Sequence, residues 1–262
     1  MLPDSAHIGS ATLTVSDLDR SVAFYQDVLG FREHRREGRT AFLGADGARD
    51  LIVLDELKGA VARPRRSAGL FHVAILVPSR AALARSLVHL VQRGWSLTGV
   101  ADHLVSEALY LNDADGLGLE IYRDRPRAEW RQQDGQIIMG TEALDLDDLA
   151  SEPGAEDPWR GLDEGTVIGH VHLQVTTLES AEALYCDRVG FTPMLRRYTG
   201  ALFVAAGGYH HHVGLNVWAG VGVPPPPTNA VGLKSFTIEA VGLPKREIED
   251  EATRVTVRMR SE

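Results

Sequence analysis

Cysteine is almost absent: Cys186 stands alone in 262 residues. An internal disulfide is therefore excluded, and the scarcity of thiols suits a reducing, cytoplasmic compartment. Cys186 follows Tyr185 in a helical pattern, where a small apolar side chain is better placed for burial than for attack. Basic runs are scarce too. Apart from Arg63-Pro64-Arg65-Arg66 the cations are scattered, and the net charge is −9. Nucleic acid is thus not an expected partner, and the short basic run reads as a solvated loop. No apolar stretch reaches bilayer-spanning length, and no basic segment followed by an apolar run opens the chain, so neither a membrane span nor a signal peptide is expected. The remaining composition is that of an ordinary soluble globular protein, long enough for two domains.

A repeat organises the chain. Ile8 to Phe31 (IGSATLTVSDLDRSVAFYQDVLGF) returns as Ile168 to Phe191 (IGHVHLQVTTLESAEALYCDRVGF), each match offset by 160 positions. In both copies an alternating strand leads into a helix with apolar residues at helical spacing (Leu18, Val22, Tyr25, Leu29 in the first), closed by glycine. A third version runs from Phe71 to Trp95, its helix ending at Gly94, and a fourth begins at Gly232. Segments rich in β-formers follow each helix, so the unit is βαβββ and the class α+β. The fourth unit is incomplete: after LPKREIEDEATRV only Val255 to Met259 reads as a strand, and its last strands are expected to be missing.

Two domains are expected, residues 1–125 with units one and two, and residues 166–262 with unit three and the shortened unit four. Residues 126–165 form an acidic linker with one short helix, its charge read as solvation and its Trp130 and Trp159 as anchors on a domain surface. Pro224 to Pro227 reads as a stiff spacer.

The stretch Val100 to Tyr122 (VADHLVSEALYLNDADGLGLEIY) reads as two strands joined by the turn Asp113-Ala114-Asp115-Gly116. In the second strand Leu117, Leu119 and Ile121 alternate with Gly118, Glu120 and Tyr122, so Glu120 points away from the apolar face. Solvent accounts for most glutamates. Here the spacing of His103, Tyr110, Asp113, Gly116 and Glu120 resembles the signature of extradiol ring-cleaving dioxygenases, with Ala101 and Ala114 departing from it. That resemblance implies Glu120 as an iron ligand, with His103 and Tyr110 handling protons and substrate. The fourfold βαβββ repeat is similar to that of the vicinal oxygen chelate superfamily, in which paired units form a curved sheet that cups a metal ion.

Alternation in the third unit sends Val171, Leu173 and Val175 to the core and leaves His170, His172 and Gln174 opposite. In the second unit Phe71, Val73, Ile75 and Val77 are expected inward and His72 opposite. The repeat register aligns Ser10, His72, His170 and Ser235, the position at which the superfamily holds its metal, and aligns Glu120 with Asn216 on the final strands. The metal set implied is His72, His170 and Glu120. Two histidines and one carboxylate suit Fe(II), with Mn, Ni or Zn as the other divalent ions. This set meets only if units two and three face one another, within one chain or across a dimer, which leaves units one and four as a metal-free cup.

The resemblance implies a catechol-type aromatic diol and O2 as substrates, with His103 as acid/base and Tyr110 bonded to a substrate oxygen. His172 and Asn216, on the cup face, and His210 or His212 of the run Tyr209 to His212, are candidates for orienting substrate or supporting the ligands. His89 reads as solvent-facing. A glyoxalase-like isomerase with another divalent ion, and a metal-free module binding a small molecule such as an antibiotic, remain open on the same scaffold. A homo-oligomer is allowed.

Overall fold

In unit one, β1 (His7–Val15) leads into α1 (Leu18–Asp27), followed by β2 (Arg32–Glu37), β3 (Thr40–Gly44) and β4 (Ile52–Glu56). Unit two is β5 (Gly69–Leu76), α2 (Arg80–Gln92), β6 (Gly99–Asp102), β7 (Ser106–Asn112) and β8 (Gly118–Asp124). The connector carries β9 (Gln132–Gln133), β10 (Gln136–Ile137) and α3 (Leu146–Ala150). Unit three is β11 (Val167–Gln174), α4 (Leu178–Glu182) continued by a π-helical stretch over Ala183–Val189, then β12 (Thr192–Leu195), β13 (Ala201–Ala205) and β14 (Val213–Asn216). Unit four contains β15 (Gly232–Glu239), β16 (Arg246–Asp250) and β17 (Val255–Arg260). These ranges come from a computed structural model that describes all residues, Met1–Glu262. No helix is long and apolar enough to cross a membrane.

Local chemistry explains why three units share one shape. Asp17, Ser79 and Thr177 each precede a helix in extended backbone, and each side-chain oxygen accepts the backbone N–H three residues on. This satisfies one of the amides that every helix start leaves free. Gly30 and Gly190, with φ of 84° and 106°, then turn the chain out of its helix, a conformation that a Cβ would strain.

The strands form two large sheets, β16-β17-β15-β1-β4-β3-β2 and β12-β13-β14-β11-β5-β8-β7-β6. Units one and four share the first, and units two and three the second. Segments 1–125 and 166–262 therefore each give one unit to each sheet. At the centre of both sheets the opening strands of two units run antiparallel, β1 with β15 and β5 with β11. The fourth unit is incomplete, but not where the sequence placed the loss. β17 pairs in parallel with β15 as β4 does with β1, so the final strand is present; the helix and one middle strand are replaced by the turn over residues 240–245. β16 was hidden because REIED has one apolar residue, Ile248, at a sheet edge, where alternation leaves almost no signal.

Two buried phenols tie units together in equivalent ways. Tyr25 Oη donates to Asp113 Oδ2 (3.3 Å) at the β7–β8 turn, and Tyr185 Oη donates to Asp250 Oδ2 (3.1 Å) at the end of β16. Asp113 Oδ1 also accepts the N–H groups of Asp115 and Leu117, each at 2.8 Å. These bonds brace the turn despite Ala114. Burial pushes the Asp113 carboxyl up to about 6, against the pull of its N–H donors. Its raised folded-state value makes its contribution to stability full below about pH 4 and lost as pH rises through about 6. Asp113→Asn keeps one oxygen to accept the two backbone N–H groups, replaces the oxygen facing Tyr25 by an amide nitrogen, and removes the charge. Between pH 4 and pH 7 the stability difference is expected to move by up to about 3 kcal/mol in the variant's favour, measured by urea unfolding of both proteins at the two pH values.

The connector departs from the expected solvated linker. Asp148 and Glu152 pair with Arg80, and Asp163 pairs with Arg85, both on α2. Trp159 stacks on His89 with ring centroids 4.1 Å apart, and His89 Nε2 donates to the Asp27 carbonyl at 3.1 Å. His89 is thus buried between α1 and the connector and not solvent-facing, and burial lowers its pKa. Arg63 also leaves the expected solvated loop. It is half-buried and donates to the Ser67 and Leu70 carbonyls and to Gln174 Oε1.

Candidate metal centre

The second sheet places the site by its central ladder. Tyr110 on β7 lies opposite Glu120 on β8, Glu120 beside Ala74 on β5, and Ala74 beside His170 on β11. The methyl group of Ala74 leaves space above it for a carboxylate and a ring to approach one another. Each central strand carries one extra residue, Gly169 in β11 and Phe71 in β5. Such bulges re-aim side chains. At Gly169 a Cβ would lie 1.8 Å from Tyr122 Oη, so glycine is required. At Phe71 the bulge turns the ring, expected in the core, onto the cup face, where it is 37% exposed.

Three donor atoms converge there within one chain. His72 Nε2 lies 2.9 Å and His170 Nε2 3.1 Å from Glu120 Oε2, and the two nitrogens are 3.3 Å apart. All three residues are buried. Neighbouring corners of an octahedron with bonds of about 2.1 Å are about 3.0 Å apart, so the triangle has the edges of one face around a single cation. The electrostatics agree. The two imidazoles outweigh the burial that would otherwise raise Glu120, and hold its carboxyl well below the usual range. Burial carries His170 down to about 4, against the pull of Glu120. The carboxylate is then charged and the His170 ring neutral near pH 7, the states in which each binds a metal. Nδ1 of His170, the ring nitrogen outside this triangle, is buried without a partner.

The pseudo-equivalent cup of units one and four has no such set. Ser10 and Ser235 hold the histidine positions, as the repeat predicts. The strand pairings place Arg258 where unit two has Glu120, so a cation replaces the carboxylate. In unit three the same registers identify Gly214, not Asn216, as the counterpart of Glu120. A Cβ at Gly214 would meet the His172 ring at 2.8 Å. Asn216 instead donates through Nδ2 to His172 Nε2 (3.0 Å) while its Oδ1 accepts the Trp218 N–H. It therefore fixes the orientation of His172, which lines the cavity.

His103 and Tyr110 form a directed pair. His103 Nδ1 lies 2.7 Å from the Gly140 carbonyl, and Nε2 lies 2.6 Å from Tyr110 Oη. Since a carbonyl only accepts, Nδ1 carries a proton, and in the tautomer protonated there alone Nε2 accepts from the phenol. Burial, and then the Glu120 charge, push the Tyr110 phenol well above its ordinary value.

The histidine run behaves as a loop and not as a strand, with Gly207 and Gly208 at positive φ before it. His211 is the member that lines the cavity, and its ring centroid is 4.0 Å from that of His170. His210 lies behind it, bonded to His211 Nδ1 (2.7 Å) and donating to Asp124 Oδ1 (2.9 Å). His212 points elsewhere and accepts the Ala206 N–H at 3.2 Å. Of the expected pair, His210 supports the cavity-lining ring and His212 does not approach the cup. The site also draws on Met139, Gly140 and Thr141 of the connector, which no short-range pattern marks.

Fold and site together define a protein assembled from paired βαβββ units, with a buried His-His-Glu cluster on the cup face of its second sheet. The chain belongs to the Glyoxalase/Bleomycin resistance protein/Dioxygenase superfamily, which matches residues 7–121. A Bacillus subtilis (strain 168) protein, catechol-2,3-dioxygenase, is 48% identical over 239 residues, covering 90% of this chain and 83% of the relative. Among solved structures, one from Bacillus subtilis subsp. subtilis str. 168 aligns with a TM-score of 0.64 at 13% identity, over 99% of this chain and 86% of the other. Glyoxalase I from Zea mays aligns with a TM-score of 0.58 at 14% identity, over 97% and 92%. These two likenesses show the fold.

Proposed function

We propose that the protein is an extradiol ring-cleaving dioxygenase that adds both atoms of O2 across a bond beside the diol of a catechol-type substrate. The observation that carries this reading is the convergence of His72, His170 and Glu120 in a cavity whose wall also carries the His103–Tyr110 pair. The 48% identity to catechol-2,3-dioxygenase supports it.

His72, His170 and Glu120 would hold Fe(II). Bound there, the ion supplies chelation of the diol and activation of O2. The protein's own part is proton management. A diol hydroxyl gives its proton to Tyr110 Oη as the phenol passes its own to His103 Nε2, and the Gly140 carbonyl holds Nδ1–H throughout. Both oxygen atoms enter the product, a ring-opened muconic semialdehyde, so no external reductant is needed.

Glu120 is the only carboxylate lining the cavity. An isomerase that surrounds its ion with several carboxylates is therefore the weaker reading. The test is anaerobic loading with Fe(II), then catechol, then air. A yellow ring-opened product with uptake of one O2 per diol is expected. Bound metal without colour would point to an isomerase, and no bound metal to a binding module.

A further inference from the structure

The cavity over the triad has a volume of about 430 Å³. A cavity of about 150 Å³ holds a benzene molecule, so one ring on the triad leaves room for a second. The walls indicate what that second group is. Phe71, His172 and Trp218 meet with centroid separations of 5.1 to 5.4 Å, and Tyr198 and Phe203 continue the surface at 5.6 Å. Tyr198 Oη is bonded to Thr141 Oγ1 at 2.7 Å, which draws the connector, with Met139, over the same space. Phe71 and Trp218 are 37% and 46% exposed, so this aromatic surface reaches the mouth. No lysine or arginine lines the cavity, and its one charged acid is Glu120.

We infer that this site selects uncharged, aryl-extended diols and rejects diols that carry a carboxylate on the ring. The inference deepens the ring-cleavage reading and rests on it for the diol end; the aromatic wall acts on the distal group whether or not turnover follows. A second ring gains edge-to-face contacts with Phe71 and Trp218 and leaves water. A carboxylate would lose its hydration with no cation to receive it, in the field of Glu120. Recognition of a ring carboxylate ordinarily uses a guanidinium or ammonium group, and none is present.

The test is equilibrium binding under argon to the 262-residue chain loaded with Fe(II), followed by isothermal titration calorimetry, which needs no turnover and does not depend on Trp218 as a reporter. Three ligands are compared: catechol, 3-phenylcatechol and 3,4-dihydroxybenzoate. 3-Phenylcatechol is expected to bind on the order of tenfold tighter than catechol and on the order of a hundredfold tighter than the carboxylated diol. Trp218→Ala is expected to bring the first two within about threefold of each other; Phe71→Leu provides a second reading of the same wall if that variant does not fold. Met139→Arg is expected to raise affinity for the carboxylated diol about tenfold. Equal or tighter binding of the carboxylated diol, no phenyl preference, or no binding of any of the three overturns the inference. Admitting air separates the two readings. Phenyl preference without cleavage of any diol removes the proposed reaction and keeps the specificity, whereas cleavage with a carboxylate preference does the reverse.

Discussion

Replacing Glu120 with glutamine is expected to abolish tight Fe(II) binding and to lower ring cleavage by on the order of a thousandfold or more, because charge stabilisation by a metal of this kind contributes several kcal/mol. The substitution changes almost no volume. It removes the only charged donor of the triangle and replaces an oxygen that faces two imidazole nitrogens at 2.9 and 3.1 Å. An amide offers one carbonyl oxygen and two N–H donors, so one of its orientations turns N–H groups toward the position a cation would take. Neither orientation restores the negative charge that, beside two imidazole donors, favours a divalent ion. The variant should remain folded, since burial of a neutral amide is less costly than burial of a carboxylate. Metal content after anaerobic loading and dialysis, compared with oxygen uptake on catechol, checks both effects. Full metal occupancy with activity within about tenfold of the parent would remove Glu120 from the coordination set.

The clustering of His72, His170 and Glu120 was legible in the sequence because the repeat supplies four copies of one register. Two histidines and two serines at one position of the opening strands are informative only by comparison with each other. The facing of units two and three was legible for the same reason, since Ser10 and Ser235 leave no other pair of opening strands with imidazoles. What lay beyond reach depended on backbone irregularity or on distant chain. The extra residue at Phe71 shifts the β5 register by one, so strict alternation sends that ring to the core when it in fact lines the cavity mouth. Counting along β14 likewise selects Asn216, whereas the hydrogen-bond register selects Gly214. A glycine gives no signal that a neighbouring ring fills its place. For the histidine run, strand alternation favoured His210 and His212, but a run preceded by two glycines in left-handed conformation is a loop, and its middle ring faces inward. Gly140 acts through a carbonyl, which every residue has. Its contact with His103 joins positions separated by 37 residues, and no sequence pattern encodes it.

Substituting His103 by alanine is expected to lower kcat by about 10² to 10⁴-fold, the usual contribution of a positioned acid/base, with KM for the diol much less changed because His103 lies outside the cluster of His72, His170 and Glu120. The consequence that separates a proton relay from loss of packing lies in the pair. Tyr110 Oη and His103 Nε2 are 2.6 Å apart, and the far nitrogen of the ring is held by a group that accepts only. If the phenol passes its proton to the ring, removing either partner breaks the same path. Tyr110→Phe should therefore cost a similar factor, and the double variant should be no slower than the worse single variant, since residues that act as a unit are strongly non-additive. Independent roles in substrate contact and packing would instead make the two losses multiply. Steady-state oxygen uptake for the parent, both single variants and the double variant closes the cycle. Metal content measured on each protein keeps a loss of the cation from imitating the effect, because the Tyr110 phenol sits beside Glu120 in the sheet register, and its burial and raised pKa keep it protonated as a donor until a base is ready to accept.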